Sequence, residues 1–423
     1  MRLIIVPIVL LVTFSLHAAV NPSLDSLLER RQYFQLRQVL EQPENNSLPA
    51  YRKLYYQAFV HNFFHELPAS NKDIEQLIKK HFKRLTDKEL GKLLGKKIDN
   101  HVKLYQYEQA YQASELLLTR FKHTLTEEDR KDVTNSAIIW KGLRRTAPQS
   151  TTINKDSRIP TKRDLASLIN VPVQFRDSSF DFVFDTGANL SVITETYAAK
   201  AGLDILNVFF DVRAVTGIEV KANLGVAKEL KMGDVIVKNV VFIIFPDSTL
   251  SFAGGAYKIR GIIGYPVIEQ LQEVHIDKTG FITVPQKATD KNIRNFGMDE
   301  LTPVINIPVN KDTLAFTFDT GAQQTDLNQP FYTRYKTDIE ATGKAYNMQQ
   351  GGAGGYTTVK GWKIPATVFN VGGQTLSLSN LGVKTTSTDS KDKFYYGNLG
   401  QDVMSRFKEL VINFRYMYVD FVN

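Results

Sequence analysis

The chain has 423 residues, with 52 Lys and Arg against 44 Asp and Glu and no cysteine. Disulfide frameworks, thiolate metal sites and thiol nucleophiles are therefore excluded. The length leaves room for two or three domains, each held by its own hydrophobic core.

The N-terminal segment carries one positive residue, Arg2, an apolar run from Leu3 to Leu16, and then Ala18-Ala19. Residues 1–19 read as a secretory signal peptide, because the apolar run is short for a bilayer span and ends in small residues. The alternative is an uncleaved membrane anchor, the one route by which a membrane contact is expected. Either reading places the protein outside the cytoplasm, periplasmic or secreted.

Over 20–145 Gly and Pro become scarce and apolar residues fall at helical spacing, as in Leu90, Leu94, Ile98, Val102 and Tyr105. Thr86-Asp87-Lys88-Glu89 fits a capping box, and Thr126-Glu127-Glu128-Asp129 is a near relative of one. The stretch from Leu90 to Phe121 predicts a helical hairpin broken near Gln106-Tyr107, and hairpins of this kind stack into bundles or short solenoids. The segment is weakly similar to tetratricopeptide-type repeats, without a fixed period. Residues 21–150 hold 22 Lys and Arg against 16 Asp and Glu, whereas 151–423 hold 29 against 28. The positives are interleaved with acids, so a solvated helix face is expected rather than a nucleic-acid site. A protein partner at this domain is expected instead. His61 and His65 lie four apart, but Asn62 stands where a metalloprotease helix needs Glu, and no metal site is expected.

Residues 146–163 are polar and aperiodic and read as a linker. Two near-copies of one stretch then dominate the remainder. Phe180-Asp181-Phe182-Val183-Phe184-Asp185-Thr186-Gly187-Ala188 follows the arm Ile169-Asn170-Val171-Pro172-Val173. Leu314-Ala315-Phe316-Thr317-Phe318-Asp319-Thr320-Gly321-Ala322 follows Ile305-Asn306-Ile307-Pro308-Val309. Each copy reads as a buried strand entering Asp-Thr-Gly, where the glycine permits a tight turn beside the carboxylate. One such tripeptide recurs by chance; two in matching contexts form an internal repeat.

The doubled motif resembles the aspartic proteases of the retropepsin and pepsin kind, exported bacterial type. In that family each lobe of an all-β structure contributes one Asp-Thr/Ser-Gly loop to a shared site. The resemblance implies lobes at 164–286 and 300–423 joined by a linker at 287–299. It implies Asp185 and Asp319 as catalytic residues, with Thr186, Gly187, Thr320 and Gly321 supporting their loops. Thr216-Gly217 and the glycine-rich Gly351 to Tyr356 fall where the family keeps flaps, making Thr216, Gly217 and Tyr356 candidates for substrate contact. Gly261-Ile262-Ile263-Gly264 and Asn398-Leu399-Gly400-Gln401-Asp402 resemble the family's bracing segments. Pro266 stands where relatives carry Asp or Asn, and Gln323-Gln324-Thr325-Asp326 is more polar than usual.

Competing schemes lack parts. Asp277-Lys278-Thr279-Gly280 imitates the aspartate loop of P-type pumps, but a hairpin turn accounts for it without further apolar spans. His275 is the only histidine beyond residue 150, so a Ser-His scheme would rest on it alone. The fold class expected is thus a multidomain α and β chain: an N-terminal helical bundle or short solenoid, then a bilobed all-β aspartic-protease fold. The function expected is peptide-bond hydrolysis of a polypeptide substrate by a monomer without cofactor or metal. The alternative is a weak or inactive peptide-binding protein with the same fold.

Overall fold

A computed structural model describes residues 23–214, 216–387 and 391–423. The expected signal segment 1–19 lies outside them. Among the described residues, seven α-helices precede the β region: α1 (Leu24–Glu29), α2 (Tyr33–Leu40), α3 (Ala50–Phe63), α4 (Leu67–His81), α5 (Asp87–Lys103), α6 (Tyr107–Arg120) and α7 (Glu127–Leu143). Sequence signals account for their limits. Thr86 and Glu89 close the capping box at α5, Thr126 caps α7 through the Asp129 amide, and Leu90, Leu93 and Leu94 line the buried face of α5. No described helix is long and apolar enough to cross a membrane.

The first six helices form three antiparallel hairpins, and each turn contains a non-glycine residue at positive φ: Arg31 at 52°, His65 at 62° and Tyr105 at 56°. Such backbone is unfavourable for these residue types and persists where packing over-determines it. Here each of the three side chains reaches the β region. The Arg31 guanidinium meets Asp299 at 2.6 Å, His65 Nε2 lies 3.0 Å from Glu269, and Tyr105 Oη donates to the Pro266 carbonyl at 2.8 Å. The tips of the helical hairpins are thus planted on the β body. His65 lies beyond the end of α3 and His61 pairs with Asp73 at 2.7 Å, so the two imidazoles do not converge.

The β region contains two large sheets of related plan. In the first, the motif strand Ser179–Phe184 lies beside the short strand Gly261–Ile263, which lies beside Ser191–Thr194 and then Val235–Phe245. In the second, Asp312–Phe318 lies beside Gly397–Leu399, then Asp326–Leu327, then Gln374–Lys384. In both, the glycine-led strand runs parallel to the motif strand, pairing Ile263 with Phe184 and Leu399 with Phe318. Phe182 and Phe184, like Phe316 and Phe318, lie two apart on one face of their strand and are buried, while Val183 is buried and Thr317 half-buried on the opposite faces. The helix Glu195–Ala201 ends at Gly202, whose φ of 67° supplies the left-handed cap. The Asp277-Lys278-Thr279-Gly280 stretch is a hairpin turn, with Asp277 Oδ1 accepting from the Thr279 and Phe281 amides.

Both expected linkers are instead built into sheets. Within 146–163, Ser150–Thr152 pairs with Val235–Phe245, and Ser157–Pro160 joins a separate five-stranded sheet. That sheet runs Ser157–Pro160, Phe281–Val284, Glu273–Asp277, Glu409–Asn413, Tyr418–Val422, so it draws on the ends of both β units. Within 287–299, Phe296–Asp299 pairs with Thr302–Val309. Polar neighbours hid these strands, although Ile159, Phe296 and Met298 are buried in the core, and buried ion pairs add to their hold. Asp299 is the clearest case: its fully buried carboxylate takes Arg31 at 2.6 Å, Lys96 at 3.7 Å and the Tyr395 hydroxyl at 2.9 Å. Burial opposes its ionisation, but Arg31, Lys391 and Lys96 overrule it and hold the carboxyl well below the usual range. Beside it, Gly297 leaves space only for the Phe63 ring of α3.

Candidate active site

Asp185 and Asp319 each follow the end of a buried strand, and the same contacts fix both. The Asp185 amide donates to the Ile263 carbonyl at 3.0 Å and the Asp319 amide to that of Leu399 at 3.1 Å. Past the turn, the Gly187 amide donates to Asp185 Oδ1 at 2.8 Å and the Gly321 amide to Asp319 Oδ1 at 2.7 Å. Each carboxyl also lies over the other loop's glycine. A methyl group on Gly187 would stand 2.6 Å from Asp319 Cγ, and one on Gly321 would collide with the Asp185 carboxyl. These two positions demand glycine because the loops approach closely, not because of their φ.

Thr186 and Thr320 lock the loops together, both fully buried. Thr186 Oγ1 donates to the Phe318 carbonyl at 3.1 Å and accepts from the Thr320 amide at 3.0 Å. Thr320 Oγ1 donates to the Phe184 carbonyl at 2.8 Å and accepts from the Thr186 amide at 3.0 Å. The four bonds connect residues 132 to 136 apart in sequence and pair both threonine hydroxyls, both threonine amides and the Phe184 and Phe318 carbonyls.

The two carboxyls are hydrogen-bonded to each other. Burial, then the charge of Asp319 and that hydrogen bond, push Asp185 well above the usual carboxylate range, against the pull of the Gly187 and Ala188 amides. Asn398 Nδ2 donates to the remaining oxygen, Asp319 Oδ2, at 3.1 Å, and Thr317 Oγ1 on Asn398 Oδ1 at 2.7 Å fixes the amide's orientation. The first repeat carries Ile262 at the position of Asn398, so the dyad is polar on one side only. Sequence reasoning did not single out Asn398; the mismatch between the repeats was the available signal. Among the described residues no cluster of His, Asp and Glu could hold a metal ion.

Behind the loops the repeats differ again. In the second, Asp402 Oδ1 accepts from the Thr325 amide at 2.9 Å and from its hydroxyl at 2.7 Å. Pro266 replaces that aspartate in the first repeat. Its carbonyl instead accepts from Tyr105 Oη at 2.8 Å and from Gln149 Nε2 at 2.7 Å, while the preceding Tyr265 amide bonds Ala188 at 2.8 Å. The helical region thereby braces the first aspartate loop in place of a carboxylate. The polar Gln323 and Gln324 are exposed, and Gln323 bonds the Ala166 carbonyl.

The remaining candidates sit in hairpin tips. Thr216 and Gly217 lie in the turn between Phe210–Arg213 and Glu219–Met232; Thr216 is buried and its hydroxyl accepts from Ile218 at 3.4 Å. Gly217, at φ 79°, makes that turn possible. Tyr356 stands at the tip joining Lys344–Gly352 to Gly355–Val371, 61% exposed, its ring 6.0 Å from that of Phe252. Among the described residues none of the three hydrogen-bonds to the aspartates.

The comparison with known families falls on the first of these units. Residues 171–267 match the aspartyl protease family model. The match spans Asp185, Thr186 and Gly187, the Thr216-Gly217 turn and Pro266, and ends before the second aspartate. No curated protein matches the chain.

Proposed function

We propose that the protein is a bilobed, single-chain aspartic endopeptidase of the retropepsin and pepsin kind. The observation that carries this reading is the reciprocal threonine junction with two hydrogen-bonded carboxyls above it. Two adjoining carboxyls share one proton because like charges so near cannot both ionise, as in aspartic proteases. Burial and the neighbouring charge rest the shared proton on Asp185. Asp319, oriented by Gly321 and Asn398, takes a proton from a bound water as its oxygen attacks the scissile carbonyl carbon. Asp185 donates its proton to the carbonyl oxygen, giving a tetrahedral diol. Collapse returns that proton to Asp185, while Asp319 passes the other to the leaving amine, so the dyad ends as it began. The pair titrates as a unit, and this allocation describes the resting state only. A polypeptide is the substrate class that the resemblance implies, the hairpins at 216–217 and 351–356 being where such proteases cover an extended chain. Export through the 1–19 segment completes the proposal.

Asp185→Asn and Asp319→Asn are each expected to abolish cleavage of a denatured protein substrate while leaving the fold intact. Mixing the two variants is expected to restore nothing, because no chain then holds both carboxyls. Substantial turnover by either variant would end the dyad assignment, and recovery on mixing would mean that sites form between chains.

A further inference from the structure

The two repeats differ at one pair of facing positions beside the carboxyls. In the first, Val183 on the motif strand lies opposite Ile262, and Ile262 packs against an apolar cluster that includes Leu224 and Val241. In the second, Thr317 lies opposite Asn398. Both members of the pair are thus apolar in one repeat and polar in the other, and the two polar side chains bond each other. The Thr317 hydroxyl has a single proton and lies 2.7 Å from Asn398 Oδ1, with the Gly397 carbonyl at 3.3 Å as a weaker second acceptor. With its oxygen engaged in this way, Asn398 turns Nδ2 to Asp319 Oδ2 at 3.1 Å. A hydrogen bond donated to a carboxyl favours its ionised form. The Gly321 amide holds the other oxygen at 2.7 Å, and Ile262 offers Asp185 no matching donor.

Other charges on the surrounding strands have partners of their own. Asp326, opposite Asn398 in the ladder, pairs with Lys384 at 3.1 Å, and Lys384 lies 3.5 Å from Asp392. Asp181 and Asp312, farther back on the two motif strands, pair with Lys162 and Arg334. Arg163 reaches the second aspartate loop through Gln401, which donates to the Thr320 carbonyl at 2.6 Å.

We propose that Thr317 and Asn398 decide which carboxyl of the dyad carries the negative charge. Asn398 holds the charge on Asp319, and Thr317 is the positioning residue that keeps the amide turned that way. The proposal rests on the protease reading, and it makes the two lobes unequal, the second supplying the base that activates water. Its effect on pH dependence is one-sided. Without the donor, the singly ionised pair is disfavoured against the fully protonated one, so the acid limb of the kcat/KM profile moves to higher pH. The singly and doubly ionised pairs both carry charge on Asp319 and lose the bond alike, so the alkaline limb stays in place.

The test is the pH profile of peptide cleavage by the full chain, paired with carboxyl NMR of isotope-labelled aspartates. Asn398→Leu keeps the side-chain shape. It is expected to move the acid limb up by about one pH unit, a change of about tenfold, the scale of one hydrogen bond to a charged group. Thr317→Val copies the Val183 position of the first repeat and is expected to move the limb the same way by about half a unit, whereas Thr317→Ser leaves it unmoved. Adding Thr317→Val to Asn398→Leu is expected to change nothing further, because Thr317 acts through the amide. A variant that merely loosened the site would lower the whole profile without moving one limb alone. An unmoved acid limb in Asn398→Leu, an equal shift of both limbs, or full additivity in the double variant would overturn the proposal. Should Asn398→Leu fail to fold, the contrast between Thr317→Val and Thr317→Ser decides by the same shift. If the wild type cleaves nothing, the protease reading fails on its own. The NMR titration, with Asp185→Asn and Asp319→Asn assigning the signals, still decides whether Asn398→Leu moves the first ionisation of the pair to higher pH, and an unmoved titration overturns the proposal.

Discussion

Thr320→Val isolates the junction beneath the carboxyls, because valine matches threonine in shape and removes only the hydroxyl. Two backbone groups then lose their partners: the Thr186 amide, at 3.0 Å from Thr320 Oγ1, and the Phe184 carbonyl, at 2.8 Å. Thr186 and Thr320 are both 0% exposed, so water does not replace the missing oxygen. Each buried orphan costs about 1–3 kcal/mol, which gives about 2–4 kcal/mol for the pair after some relaxation. That is a large fraction of a typical stability of about 5–15 kcal/mol, yet the chain is expected to stay folded. Phe184 and Thr186 flank Asp185, so any relaxation displaces that carboxyl, and a shift of about 1 Å costs on the order of 100-fold in rate. Thr320→Ser keeps the hydroxyl and is expected to lose less than about 1 kcal/mol and little activity. The double variant Thr186→Val/Thr320→Val is expected to cost less than the sum of the singles, since the loops have already parted. Denaturant midpoints and steady-state cleavage measure both effects. A Thr320→Val protein within about 0.5 kcal/mol of wild type and equally active would refute the reasoning, because the bonds would then hold nothing.

The pH dependence follows from the sign of one shift. Asp185 lies well above its ordinary value of 3.8 in the fold, so its contribution to stability is complete below that value and is lost as pH rises through the raised one. Asp185→Asn is therefore expected to be more stable than wild type at neutral pH, with the gap closing towards about pH 4 in thermal melts, and wild-type cleavage to decline as the pH rises through the same range. Asp299→Asn leaves Arg31 and Lys96 facing a buried neutral group and is expected to cost about 3–5 kcal/mol in denaturant unfolding. Tyr105→Phe removes one of two donors to the Pro266 carbonyl, and a loss of about 1 kcal/mol with a several-fold fall in kcat is expected, Gln149 keeping the other bond.

Local rules in the sequence determined a good deal. The capping residues Thr86 and Thr126, the break before Tyr107, the Gly202 stop and the turn at Asp277 all depend on residues within four positions of one another, so the chain declares them. The paired Asp-Thr-Gly-Ala stretches were legible because a duplication leaves the same pattern twice. What the sequence left open depends on contacts across long separations. Nothing local marks 150–160 as strands, since their partners lie about 80 to 130 positions further along the chain. Nor does Pro266 announce that Tyr105, 161 positions earlier, supplies its brace. Asn398 became a partner of Asp319 only when a parallel strand set it beside Thr317. The helical region read as a separate domain with a solvated surface. The fold instead turns its hairpin tips into anchors, because Arg31, His65 and Tyr105 find carboxylates and a carbonyl that only the folded β body brings within reach.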